Sequence, residues 1–180
     1  MAESNTGDAK EKIKMLRSVR QVRRFASRPV PDDVIEDIIE VGRWTGSGMN
    51  KQPWEFILIR NHDTLRQIAE EEGANSHLAN ADFAIIVLMA GESPVIENFD
   101  EGRLTERLLI AAAAHGVGAG LWWLREKGKA AAKRILGIPE GRNVRTSISF
   151  GYPDPEVIAE RKKNPEARKS REELVHEEKY

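Results

Sequence analysis

Five arginines, Arg17, Arg20, Arg23, Arg24 and Arg28, crowd into a dozen residues of this chain. Such a cluster is either a solvated charged face or a pocket for an anion, because guanidinium groups bind phosphate and carboxylate through paired, charge-assisted hydrogen bonds. The other residue types that carry chemistry are badly spaced for it. His62, His77, His115 and His176 lie far apart, and none has a partner at the spacing of a metal site. His115 closes an apolar stretch and reads as a packed or capping residue. There is no cysteine, which excludes disulfides, thiolate metal ligands and cysteine nucleophiles together. Gly116-Val117-Gly118-Ala119-Gly120 departs from the dinucleotide fingerprint: Leu121 stands at a required glycine, and the run follows a helix pattern instead of a strand. It reads as a helix stop feeding a tight passage. Ser47 lacks the glycine two residues earlier that a nucleophile elbow needs, and there is no Walker A motif. Glu70 to Glu72 and Glu172-Glu173 sit in charge-rich stretches and read as solvated faces.

Composition bounds the rest. One domain is the default for 180 residues, with residues 1–9 as a disordered tail and 10–180 as a single unit. An apolar share of 40% and a charged share of 32% are those of a soluble globular protein. No apolar run approaches the roughly 18 residues of a membrane span, and the polar start lacks the apolar core of a secretory signal, so a cytoplasmic location is expected. A formal net charge of -1 argues against a general nucleic-acid binder, so any basic site is local.

The elements that must position such a site follow from periodicity. Pro29 to Asp33 opens a helix running to about Trp44, with Val34, Ile35, Ile38 and Ile39 on one face. Glu55 to Arg60 reads as a strand, and Asp63 as the N-cap of the helix carrying Leu65, Ile68 and Ala69. Phe83 to Ala90 is an unbroken apolar run, the pattern of a central strand covered on both faces. Helices follow over Leu104 to His115 and over Lys129 to Leu136, the second stopped by Gly137. Val144 to Phe150 alternates like a strand and ends at Gly151-Tyr152-Pro153. Ser170 to Lys179 has the charge of a helix but little to anchor it. The expectation is an α+β layered domain of about four strands and five or six helices.

Two segments, taken together, carry a resemblance. Arg20-Gln21-Val22-Arg23-Arg24-Phe25, then Pro29-Val30-Pro31, a helix, and Ser47-x-x-Asn50-x-Gln52-Pro53-Trp54 resemble in order and spacing the start of the nitroreductase-like FMN-dependent oxidoreductases. Gly116 to Gly120, Gly151-Tyr152-Pro153, and Arg168-Lys169 followed by Glu173-Leu174 look like that family's later landmarks. The resemblance implies a layered fold with a central, mostly antiparallel sheet of four to five strands flanked by helices, in a homodimer with FMN at the subunit interface. It implies that Arg20, Arg23 and, from the C-terminal segment, Arg168 with Lys169 hold the FMN phosphate. Gln21 stands where many members have Ser. Ser47 and Asn50 match residues reaching the flavin from the neighbouring subunit, within a contact loop that takes in Gly46, Gly48 and Gln52. Gly46 replaces a frequent proline, which loosens the loop and leaves its contact to backbone atoms. Trp54 reads as core packing ahead of cofactor stacking. Leu121 to Arg125 matches the segment passing the flavin ring, which places Leu124 and Arg125 among the cofactor contacts.

The chemistry so implied belongs to the cofactor, with no catalytic side chain required: NADH or NADPH gives hydride to flavin N5 and leaves, and a small-molecule acceptor, a nitroaromatic or quinone, takes the electrons at the same face. A specialised relative (a dehalogenase, an enone reductase or a flavin-cleaving enzyme) or a non-catalytic flavin-binding module is the alternative. The connection Asn75 to Asp82 is too short for a large lid. Gly91 to Gly102 reads as a surface loop ahead of a lid, with Glu92, Glu97, Asp100 and Glu101 near the entrance.

Overall fold

In the computed structural model, which describes residues 3–73, 77–160 and 168–180, four strands form one antiparallel sheet. They are β1 (Trp54–Ile59), β2 (Phe83–Met89), β3 (Gly118–Trp123) and β4 (Asn143–Gly151), in the order β1-β2-β4-β3. β2 is buried along its whole length, as its seven consecutive apolar residues demand. Its alternate side chains feed two cores. Phe83, Ile85, Val87 and Met89 face one helical layer with Ile148 and Phe150, while Ala84, Ile86 and Leu88 face the other with Val144. Val144 changes sides because the β2–β4 register shifts between Val87 and Leu88. The rings of Phe83 and Phe150 stack at 4.6 Å across the two strands, and burying each such side chain contributes about 1.5–3 kcal/mol.

Seven helices surround the sheet among the described residues: α1 (Glu3–Ser18), α2 (Asp32–Arg43), α3 (His62–Glu72), α4 (Pro94–Ala114), α5 (Glu126–Leu136), α6 (Pro155–Glu160) and α7 (Arg171–Leu174). α2 and α4 pack together on one face, α3 and α5 on the other. α2 lies where its apolar spacing puts it, burying Ile35, Ile38 and Gly42. A Cβ at Gly42 would meet Leu108 at 2.8 Å, so the two helices close on a glycine. α5 stops at Gly137, whose φ of 66° is the left-handed conformation expected of a helix-ending glycine.

The structure corrects several expectations. α1 begins at Glu3, inside the segment read as tail. The cap of α3 is Asn61, not Asp63: its side-chain Oδ1 accepts from the amides of Asp63 and Thr64 at 2.9 and 3.1 Å. The tight passage at Gly118 is a strand, β3, legible neither by alternation nor by β-branching. Of the connection Asn75 to Asp82, residues 75 and 76 lie outside the described residues, and His77–Asn80 is a 3-10 turn. The final helix is one turn, closed by a capping box between Ser170 and Glu173.

The largest correction is α4, which starts ten residues before Leu104 and absorbs most of the segment read as a loop or lid. Glu97, Asp100 and Glu101 are buried in it, not placed at an entrance. Glu97 accepts from the amides of Gly91, Glu92 and Ser93 at 2.9–3.0 Å, which places a negative charge at the positive end of its own helix. Burial alone would raise its pKa; those amides and the nearby Lys51 outweigh burial and hold it below the ordinary glutamate value.

Candidate functional site

The arginine cluster is laid along the open edge of β3. Gln21 bridges Ala119, and the Val22 amide donates to the Ala119 carbonyl at 2.8 Å. This close approach explains the glycines. A Cβ at Gly118 would meet Val22 Cβ at 2.7 Å; one at Gly120 would strike the Val22 carbonyl oxygen and come within 2.9 Å of His77 Cε1. The run thus has nothing to do with a dinucleotide turn: it lets the arginine-bearing chain lie against the strand. Val22 is buried, while Gln21 and Arg23, its neighbours on either side, are exposed.

The cluster then divides by partner. Arg24 is taken up by Asp154, Glu156 and Glu160 of the β4–α6 region. Arg28 lies over the Tyr152 ring at 3.8 Å. Arg20 and Arg23 meet no carboxylate among the described residues: Arg20 donates to the carbonyls of Arg17 and Val19, and Arg23 to Gln21 Oε1 at 3.2 Å. Two exposed guanidiniums held by neutral acceptors keep their full charge for an external anion.

Gln21 joins this pair to the sheet, since the same Oε1 accepts from the Leu121 amide at 3.1 Å. Leu124 donates its amide inward to Arg145, so the alternation of an antiparallel ladder turns the amides of Leu121 and Trp123 to the open edge. Trp123 is exposed, with Arg145 over its ring at 5.4 Å. Leu124 is in the core, and Arg125 reaches away to Glu72. The Glu72 carboxylate also accepts from Trp122 Nε1 and the Arg125 amide at 3.0–3.1 Å. Its burial favours the neutral acid, but these bonds prevail and its pKa is lowered.

A buried pair that sequence reasoning missed lies behind the edge. Ser149 Oγ donates to the Gly120 carbonyl at 3.2 Å, so it accepts from His77 Nδ1 at 2.5 Å. Burial lowers the His77 pKa, the Leu121 carbonyl opposing this and the charge of Arg23 adding to it. Nothing in the sequence relates His77 to Ser149; only the sheet brings them together.

The second predicted segment sits at the opposite corner. Residues 46–52 precede β1, which is the other edge of the sheet, three strand spacings or about 14 Å from β3. Met49, Asn50 and Gln52 all have positive φ (52°, 55° and 49°), a conformation costly for residues with side chains. Internal bonds fix it: Ser47 Oγ accepts from the Gln52 amide at 2.8 Å, and Gln52 Nε2 donates to the Asn50 carbonyl. The Gly48 amide donates to the buried Asp100 of α4 at 3.1 Å. Gly46 and Asn50 are exposed, and Pro53 accepts from the Ala90 amide, which locks the loop to the sheet. Trp54 is buried in the core, as expected. Arg168 and Lys169 are exposed and meet no carboxylate among the described residues.

Comparison with known proteins points one way. The nitroreductase family model matches residues 16–73, the span holding both segments. A protein of Archaeoglobus fulgidus named as an NADH dehydrogenase/NAD(P)H nitroreductase is 32% identical over 156 residues, covering 81% of this chain and 87% of its own. An iodotyrosine deiodinase of Nematostella vectensis is 40% identical, but over 60 residues only, 33% of this chain and 23% of that protein. Among solved structures, an FMN-dependent nitroreductase from Clostridium difficile superposes with a TM-score of 0.81 at 20% identity, over 93% of this chain and 99% of that one. No helix among the described residues is long and apolar enough to cross a membrane.

Proposed function

The chain belongs to the nitroreductase family, and from that membership and the geometry above we propose that it is an FMN-dependent oxidoreductase working as a homodimer. When bound, FMN supplies the two-electron chemistry, accepting hydride from NADH or NADPH at N5 and passing it to a small organic acceptor such as a nitroaromatic or quinone. The observation that carries this reading is that Arg20 and Arg23, on either side of the Gln21-Val22 pair laid on the open edge of β3, meet only neutral acceptors among the described residues, whereas Arg24 beside them is taken up by three carboxylates.

The residues present fit the cofactor. Arg20 and Arg23 would hold the phosphate, with Arg168 and Lys169 adding charge from the C-terminal segment. The edge amide of Trp123 would donate toward the ring, with Gln21 holding the strand beside it through Leu121. Gly46, Ser47, Gly48, Asn50 and Gln52 occupy the far corner of the sheet, so they serve the same site best when contributed by a second subunit. Exposed apolar residues support that arrangement: Trp44 and Met49 flank or lie in the loop, and Val95, Ile96 and Phe99 line the adjoining turns of α4. Leu124 and Arg125 contribute by fixing the end of β3, not by contact.

These residues need move no proton of their own. Their work is to bind, orient and exclude water at a site where hydrogen-bond donors stabilise developing negative charge. Anaerobic mixing of FMN-loaded protein with NADH or NADPH tests the reading: the visible flavin absorbance should bleach with at least one donor and return when a quinone is added. Persistence of the absorbance with both donors would point instead to a non-catalytic flavin-binding module. The deiodinase reading rests on a match of 60 residues and has no separate support in the site.

A further inference from the structure

Gly46 poses a question that the structure answers. A glycine there frees the loop, yet three residues just beyond it hold left-handed conformations that a free loop would relax. The loop's own bonds through Ser47 and Gln52 hold that conformation, and α4 supports it from outside. The space a Cβ at Gly46 would fill is taken by Arg103, whose Nη2 would lie 2.8 Å from that atom. Arg103 in turn donates to Asp100 Oδ1 at 3.4 Å, and Asp100 Oδ2 accepts from the Gly48 amide at 3.1 Å. The ion pair on α4 therefore meets the loop on both sides of Ser47: Asp100 holds the Gly48 amide by a hydrogen bond, and the Arg103 guanidinium stands where a side chain at residue 46 would begin. Asp100 is 1% exposed, so this bond forms away from water, where a carboxylate acceptor is strong.

We propose that Asp100 and Arg103 are positioning residues that set the geometry of the Ser47–Gln52 loop, Arg103 occupying the room that Gly46 leaves open. The inference rests on the reading of this loop as the partner subunit's contribution to the FMN site. It also accounts for the acidity of this part of the chain. Asp100 and Arg103 lie one helical turn apart, so they meet on one face. The other buried carboxylates of the helix have separate tasks, Glu97 at the helix start and Glu101 on Arg145 of β4 at 2.5 Å.

Two measurements on the full-length protein test it. The first is hydrogen exchange of the segment 46–52, which reads loop order whether or not a cofactor binds. The second is FMN affinity by quenching of flavin fluorescence. Asp100→Ala should speed exchange of the segment and weaken FMN binding about tenfold, the scale of one hydrogen bond to a charged group. Asp100→Asn, which keeps an acceptor for Gly48, should restore both to within about threefold. Gly46→Ala should disturb the loop when Arg103 is present and much less in the Arg103→Ala background, a coupling that a double-mutant cycle detects. Should Asp100→Ala lower the melting temperature too far for study, the Gly46 and Arg103 cycle still decides. Unchanged exchange in Asp100→Ala together with additive effects in the cycle would overturn the proposal. Wild-type protein that fails to bind FMN would overturn the cofactor reading instead, and exchange of 46–52 would still decide whether the ion pair orders the loop.

Discussion

At the scale of single residues, the site depends on which cations are free and which backbone can approach. Arg20 and Arg23 face no carboxylate among the described residues, so truncation of either should remove a charge-assisted bond to phosphate. Arg20→Ala and Arg23→Ala should each weaken FMN binding by about 1.5–3 kcal/mol, whereas Arg24→Ala, whose partners are Asp154, Glu156 and Glu160, should leave it nearly unchanged. Fluorescence titration of the three variants checks this, and equal losses in all three would argue for a diffuse basic surface. Gly120→Ala tests the close approach. Its Cβ has the Val22 carbonyl and the His77 ring in its way, so about 1–3 kcal/mol of stability should be lost through overpacking, with FMN affinity falling because the Val22 segment carries both arginines. A melting curve that matches wild type would mean that the strand has slack there. The arginines and the glycines were both legible in the sequence, but not their relation: types and spacing cannot say that Gly120 faces Val22, a contact spanning about a hundred residues.

At the scale of elements, the sequence was read best where the pattern is local. The apolar run of β2 and the 3.6-residue period of α2 place those elements within a residue or two of where they lie. It was read worst at α4, where Glu97, Asp100 and Glu101 look solvated, because Asp100 and Glu101 find their partners on distant segments and Glu97 finds its own in the amides of the turn that opens the helix. β3 escaped for a related reason: its glycines serve the neighbouring chain, not its own propensity. The buried carboxylates have a measurable consequence. Glu72 and Glu97 titrate below the ordinary glutamate value of 4.5 in the folded protein. Their stabilisation is therefore complete above about pH 4.5 and is lost as pH falls through their lowered folded values. His77 acts in the same direction: below pH 6.5 the imidazole of the unfolded chain takes up a proton that the buried ring, with its lowered pKa, does not, so unfolding is favoured as pH falls. Glu72→Gln should flatten the acid limb of a stability-against-pH curve and lower the plateau at neutral pH. A limb as steep as wild type would show that Glu72 is not among the groups driving it.

At the scale of the whole molecule, the sheet separates what the function must unite. The arginines lie along β3 and the strained loop precedes β1, at opposite edges, so the proposed site, if it unites them, draws on two copies of the chain. Mixed dimers provide the test. Arg23→Ala and Ser47→Ala homodimers should each bind FMN weakly at both sites. Heterodimers formed by co-expression place both defects in one site and none in the other, so they should regain half the wild-type capacity at near wild-type affinity. Heterodimers with uniformly weak sites would mean that both residues serve the same subunit's cofactor. The central claim, that the paired arginines hold the phosphate of a flavin, is tested most directly by titrating cofactor-free protein with FMN and with riboflavin, which lacks the phosphate. FMN should bind tightly and saturably and riboflavin at least a hundredfold more weakly, the scale of two charge-assisted hydrogen bonds; equal affinity for the two, or binding of neither, would mean that the arginines do not hold a flavin phosphate.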